Sequence, residues 1–261
     1  MFDFHMHTKI SFDSETEPVE MLRAAEKSGL REICFTDHVD HHGKPDGEHF
    51  LIDFNDYAEA YDTLYSDKLV IRKGIEMGLV KWNKCEAEEI LKTREFDFVL
   101  GSIHYADGND PYFPEFWEGK TFGQSVTKYL SDTLECVKIH DNFDVLGHLN
   151  YVCKYNYSGQ PSDFSFEKYR EVTDEIMKVL ISKGKGMEIN TSGVDKTGNF
   201  LPDITYIKRF KELGGEIVTV GSDAHAPDRV GQYTKDAVEM AKEVFGYVCT
   251  FEKRKPVFHK F

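Results

Sequence analysis

The chain has 261 residues, 40% of them hydrophobic, and its 46 Asp plus Glu against 32 Lys plus Arg give a formal net charge of −14. That length suits one large α/β domain, 1–261, and the acidic balance argues against nucleic-acid binding while leaving room for a small phosphorylated metabolite held through cations. The sequence also carries no apolar run of about 18 residues to span a membrane, no leader-like basic-then-apolar start, and no Cys-x-x-Cys among its five scattered cysteines, so a reduced, cytoplasmic setting is expected.

The first strand ends in His5-Met6-His7. Side chains alternate along a strand, so the two imidazoles share one face and can converge on one metal ion. A polar loop, Thr8 to Glu17, contains Asp13. Thr16 and Pro18 begin a helix through Val19 to Lys27, and Gly29 stops it. Arg31 to Thr36 reads as the second strand, followed by Asp37-His38. The loop Val39 to Phe50 precedes a helix around Asp53 to Tyr65. Leu69 to Ile75 is the third strand and ends at Glu76. Lys84 to Thr93 reads as a helix. Phe96 to Ile103 is the fourth strand and ends at His104.

The segment Tyr105 to Lys120 is long, with two prolines and several aromatics, and is expected to be an ordered lid. A helix over Phe122 to His140 leads to the fifth strand, Asp144 to Gly147, which ends at His148. After a loop, Leu149 to Asp163, come a helix over Phe166 to Ser182 and the sixth strand, Gly186 to Ile189. A helix over Ile204 to Leu213 leads to the seventh strand, Glu216 to Gly221, which ends in Ser222-Asp223-Ala224-His225. Asp228 to Phe245 is predicted as the last helix, with Tyr247 to Phe261 as a closing strand and tail.

Strand-then-helix units in succession imply a parallel sheet. The metal-ligand residue types decide its shape. They stand at six different strand ends or in loops beside them, and only a closed barrel gathers that many ends around one centre. Any one of His38, His104 or His148 alone would be read as a surface or structural histidine; jointly they point to a metal site.

The motifs Asp3-Phe4-His5-Met6-His7-Thr8, Phe35-Thr36-Asp37-His38, Gly74-Ile75-Glu76, Gly101-Ser102-Ile103-His104, Val145-Leu146-Gly147-His148 and Gly221-Ser222-Asp223-Ala224-His225 resemble the polymerase and histidinol phosphatase (PHP) superfamily. The length, the N-terminal His-Met-His-Thr and the Pro256-Val257 tail look most like its histidinol phosphatase branch. The resemblance implies a distorted, TIM-like (β/α)7 barrel with two to three divalent ions (zinc, manganese or iron). Carried over by position, it gives His5, His7, Glu76 and Asp223 to the first ion. Glu76, His104 and His148 go to the second. His38, His225 and Asp13 go to the third. Asp13 is a departure, because many relatives have histidine in that place; a carboxylate still suits such metals.

Three divalent ions against the carboxylates of Asp13, Glu76 and Asp223 leave about three surplus positive charges, enough for a phosphate-ester dianion and a hydroxide. Metal-bound water is acidified toward neutrality and can attack phosphorus in line. The resemblance therefore implies a metal-dependent phosphomonoesterase, with L-histidinol phosphate as substrate. The alternatives are a phosphodiesterase acting on oligonucleotides and a non-catalytic metal-binding module. Asp223 or His225 is expected to supply a proton to the leaving alkoxide. Arg229 and Lys154 are expected to contact the phosphate, and Glu115 in the lid the substrate's ammonium group. Asp37 is expected to support the site rather than bind metal.

Overall fold

The computed structural model describes residues 1–261. Its chain runs β1 (Phe2–Asp3), α1 (Pro18–Lys27), β2 (Glu32–Val39), α2 (Phe54–Tyr61), β3 (Val70–Gly78), α3 (Lys84–Ile90), β4 (Phe98–Ser102), α4 (Phe122–Ile139), β5 (Val145–Leu146) and α5 (Phe166–Ser182). It continues with β6 (Gly186–Asn190), α6 (Val194–Thr197), α7 (Ile204–Glu212), β7 (Val218–Gly221), α8 (Thr234–Phe245), β8 (Tyr247–Glu252) and β9 (Lys255–Lys260).

The strands β1 to β7 form one parallel sheet in sequence order. The segment after β1 then closes the ring onto β7. Phe4 N–H donates to the Val220 carbonyl, Asp223 N–H to the His5 carbonyl and His7 N–H to the Ala224 carbonyl, each at 2.8 Å. This is a distorted (β/α)7 barrel. Its closure sets the two ends of the ligand pattern, His5-x-His7 and Asp223-x-His225, side by side.

The helices cover the barrel with apolar stripes. In α1 the buried residues are Pro18, Met21, Leu22 and Ala25, spaced to share one helix face. In α4 the Thr121 side chain accepts from Gln124 N–H and the Gln124 side chain accepts from Thr121 N–H, a reciprocal cap that fixes where the helix begins.

Several boundaries differ from the sequence reading. The last helix begins at Thr234 rather than Asp228. Pro227–Arg229 is a short 3-10 turn, and Gly231 and Tyr233 both have positive φ, which a helix cannot absorb. The C-terminal segment is a hairpin, β8 against β9, that does not join the barrel sheet. Phe251 of β8 packs with Phe4, Cys34, Phe98, Leu100 and Val145 inside the barrel. At the hairpin turn Lys253 N–H and Arg254 N–H donate to Asp97, and the Arg254 guanidinium pairs with Asp144. Asp97 and Asp144 each stand just before a strand, β4 and β5. The hairpin therefore stoppers the N-terminal end of the barrel, opposite the ligand cluster.

Candidate metal centre

Alternation along the strands decides which side chains enter the barrel. In β2, Asp37 and His38 point opposite ways. Asp37 is buried on the outer side, where it accepts from Thr8 N–H at 2.7 Å and from the Tyr61 hydroxyl of α2. His38 points inward, and its strand neighbour in register is Glu76. Glu76 is fully buried at the centre of the cluster.

The imidazoles surround that carboxylate. Glu76 Oε2 lies 3.2 Å from His5 Nε2, 3.5 Å from His7 Nε2 and 3.1 Å from His38 Nδ1. Glu76 Oε1 lies 3.3 Å from His104 Nε2 and 2.9 Å from His148 Nε2. Asp223 Oδ1 is 3.6 Å from His5 Nε2 and 3.4 Å from His7 Nε2. Asp13 Oδ2 is 3.4 Å from His38 Nε2 and 3.1 Å from His225 Nε2. All nine positions in the sequence-derived ligand set thus meet in one place.

The donors fit metal ions on a second ground. His5 Nε2, His7 Nε2, His38 Nδ1, Glu76 Oε2 and His225 Nε2 are buried and make no hydrogen bond. Buried polar atoms without partners are costly, and here they converge. Four groups of three donors each have all their ligand atoms within 4.8 Å of one another: His5 with His7 and Asp223, His5 with Glu76 and His148, His7 with His38 and His225, and His38 with Asp40 and His104. Imidazole nitrogens and carboxylate oxygens in that mixture suit zinc, manganese or iron.

The electrostatics agree. Burial opposes charge on Glu76, but His5, His104 and His38 hold its carboxyl well below the usual range. Burial likewise opposes charge on Asp223, and Lys154 and His5 outweigh it. For His38 burial opposes the imidazolium, yet Glu76, Asp13 and Asp40 raise its pKa to about 9. His7 goes the other way, lowered by burial and by His225 and His38. A metal ion binds neutral imidazole, so its uptake would displace the protons that the nearby carboxylates favour on His5, His38 and His104.

Two carboxylates in this cluster were not legible in the sequence. Glu188 of β6 accepts from His5 Nδ1 at 2.7 Å and from His148 N–H at 2.8 Å. Asp40 accepts from His104 Nδ1 through both oxygens, at 3.0 and 2.9 Å. Such partners turn each ring so that Nε2 faces the cluster. Ser11 does the same for His7, 3.1 Å from its Nδ1, and Ser11 is in turn held by Asp37 at 3.0 Å. The missed signal was the period of two. Thr36, His38 and Asp40 share a face once β2 extends to Val39, and Glu188 shares one with Asn190. Two glycines make the room. A Cβ on Gly221 would lie 2.3 Å from Glu188 Oε1, and one on Gly78 would lie 2.1 Å from Asp40 Oδ1.

Beside the cluster opens a cavity of about 340 Å³, lined among others by Phe12, Asp110, Tyr112, Phe113, Tyr151, Lys154 and Tyr155. Lys154 stands at its wall, 3.3 Å from Asp223 Oδ2 and 2.9 Å from Ser192 Oγ. The other two expected substrate contacts lie elsewhere. Arg229 Nη1 donates to Asp195 Oδ2 at 2.7 Å, outside the cavity, because Asp195 on α6 comes closer to it than the cluster does. Glu115 is exposed on a 3-10 turn, Pro114–Trp117, whose buried side is taken by Phe116 and Trp117. The lid acid that faces the cavity is Asp110, whose Oδ1 accepts from Tyr112 N–H at 2.8 Å and from the Tyr151 hydroxyl at 3.2 Å.

Comparison with known proteins agrees with this architecture. The PHP domain model matches residues 3–192. A protein of Lactococcus lactis named histidinol-phosphatase is 35% identical over 235 residues, 87% of this chain and 85% of its own. A "Probable histidinol-phosphatase" of Clostridium acetobutylicum is 33% identical over 257 residues, 97% of this chain and 98% of its own. Among solved structures, the Lactococcus lactis histidinol phosphate phosphatase complexed with zinc, L-histidinol and phosphate superposes with a TM-score of 0.87 at 31% identity, covering 98% of both chains. On its sequence, its barrel and its strand-end cluster, the chain belongs to the PHP domain family.

Proposed function

We propose that the chain is a metal-dependent phosphomonoesterase that hydrolyses L-histidinol phosphate to L-histidinol and phosphate. One observation carries this reading: nine imidazole and carboxylate ligand candidates converge on one barrel mouth, in a chain 31% identical over almost its whole length to a phosphatase solved with zinc, L-histidinol and phosphate. His5, His7, Glu76 and Asp223 would hold one ion, Glu76, His104 and His148 a second, and His38, His225 and Asp13 a third. When bound, divalent ions supply Lewis acidity toward the phosphate oxygens and a water acidified toward neutrality.

The chain's own groups do the rest. Glu188, Ser11 and Asp40 fix the tautomer and tilt of His5, His7 and His104. Lys154 presents its ammonium to the phosphate from the cavity wall. Asp223 Oδ2 accepts from Lys154 and, at 2.9 Å, from Ser192 Oγ, a path by which a proton can reach the departing alkoxide. His225 donates Nδ1–H to the Asp223 carbonyl, which turns Nε2 toward Asp13 and favours a ligand role over a donor role. Asp110, a residue of the cavity wall, suits the ammonium group of the substrate, and Tyr112 and Phe113 offer faces to its imidazole.

The test is an assay of the purified protein on histidinol phosphate, a phosphate bis-ester and a short single strand, before and after chelation. Histidinol phosphate alone is expected to be turned over well, with activity lost on chelation and restored by zinc or manganese. Preference for the bis-ester or strand, or activity that survives chelation with no metal left, would refute the reading.

A further inference from the structure

Two cations expected to contact the phosphate already have carboxylate partners. Lys154 is paired with Asp223 and Arg229 with Asp195. A further cation, Lys196 of α6, has no carboxylate partner. Its Nζ lies 4.3 Å above the ring of Tyr155, a residue of the cavity wall. Lys154 Nζ lies 5.7 Å from the ring of Tyr151, and the two tyrosine rings are 5.4 Å apart. Two ammonium groups thus flank one edge-to-face pair of tyrosines that line the cavity. Partial burial and then the Lys154 charge lower the Lys196 pKa. Like charges that feel one another in this way are unfavourable unless an anion joins them.

The neighbouring residue that could neutralise Lys196 is directed away. Asp195 accepts from Arg229 at 2.7 Å and from the Tyr233 hydroxyl at 2.7 Å. Those contacts tie the short helix α6 to the segment after β7. They hold Lys196 over the face of Tyr155 and leave its charge without a carboxylate.

We propose that Lys196 is a substrate-binding residue that, with Lys154, grips the dianionic phosphate of the substrate, and that Arg229 is a positioning residue that acts by anchoring the helix that carries Lys196. This rests on the phosphomonoesterase reading. An ammonium on a flexible stem can swing from the Tyr155 face to a phosphate oxygen and return after release.

The experiment uses the metal-loaded protein and inorganic phosphate as probe, with binding measured by calorimetry and KM and kcat measured on histidinol phosphate and nitrophenyl phosphate. Lys196→Gln is expected to weaken phosphate binding about tenfold, roughly one charge-assisted contact at a partly exposed site. KM should rise by a similar factor on both substrates, more than kcat falls, and Lys196→Arg should recover most of the loss. The salt dependence of kcat/KM should become shallower. In the phosphate-free protein Lys196→Gln should not lower the melting temperature, because it removes a repulsion; a structural role for Lys196 would lower it. Arg229→Ala should reproduce the phosphate defect, and the double variant should be no worse than Lys196→Gln alone. Wild-type phosphate affinity in Lys196→Gln, or losses that add in the double variant, would overturn the proposal. If the wild type binds phosphate and cleaves another phosphomonoester but not histidinol phosphate, Lys196 stands and the substrate assignment falls. If it neither binds phosphate nor cleaves any monoester, both fall.

Discussion

Glu76 shows how one side chain can govern a whole site. It is the one carboxylate whose two oxygens face different sets of imidazoles, Oε2 toward His5, His7 and His38 and Oε1 toward His104 and His148. Glu76→Ala is therefore expected to cost two ions per chain in elemental analysis, where loss of a single-sided ligand would cost one. Selectivity is expected from a different carboxylate. Asp110 faces the cavity and Glu115 faces solvent. On histidinol phosphate Asp110→Asn should raise KM about tenfold while sparing nitrophenyl phosphate, which has no ammonium to lose. Glu115→Gln should leave both substrates unchanged. Equal KM increases on both substrates for Asp110→Asn would remove it from the specificity contacts.

At the scale of elements, the lid depends on a helix that carries no ligand. Asp132 of α4 accepts from Asp107 N–H at 2.7 Å and pairs with Lys81 at 2.9 Å and Lys128 at 3.0 Å. These contacts clamp the start of the segment that leads from His104 to Asp110. Burial opposes the Asp132 charge, but the Asp107 amide, Lys81 and Lys128 outweigh it and hold the carboxyl below its ordinary 3.8. A carboxyl depressed on folding stabilises fully above its unfolded pKa, and that contribution fades as pH falls through the lower folded value. Asp132→Asn should accordingly lower unfolding stability by about 1–2 kcal/mol at neutral pH. The gap to wild type, followed by denaturant titration, should narrow below pH 3.8. A gap that stays constant with pH would mean that shape, not charge, holds the lid.

For the molecule as a whole, the two ends of the barrel divide the work. The C-terminal rim carries the converging imidazoles and carboxylates. The N-terminal end is a dry plug of Phe4, Cys34, Phe98, Leu100, Val145 and Phe251. Phe251 is 2% exposed, and its ring lies 4.9 Å from that of Phe98. Phe251→Ala opens a cavity there and should cost about 3–5 kcal/mol. Ion content and KM should hold in the fraction that remains folded, because the plug touches no ligand. A change in ion content at full folding would show the two ends to be coupled.

The chain of β-then-α units, the absence of a membrane-length apolar helix and the ligand positions could be read from the sequence alone. Strand alternation and hydrophobic period are local properties, and a ligand at the end of a strand carries its own signal. Asp13 is placed with His38 and His225 only through the family resemblance, and its carboxylate does lie beside both imidazoles. What the sequence could not decide was pairing at a distance. Glu188 reaches His5 across 183 residues, and Arg254 reaches Asp144 across 110. Arg229 lies only four residues past His225, yet its guanidinium turns to Asp195, 34 residues away in sequence. Glu115 sits in an acid-rich lid, but only its backbone turn determines that it faces solvent while Asp110 faces the cavity. Each such outcome is a competition between partners brought together by barrel closure. Sequence specifies which groups are available; the closed ring of strands decides which of them meet, because only it fixes distances between strand ends.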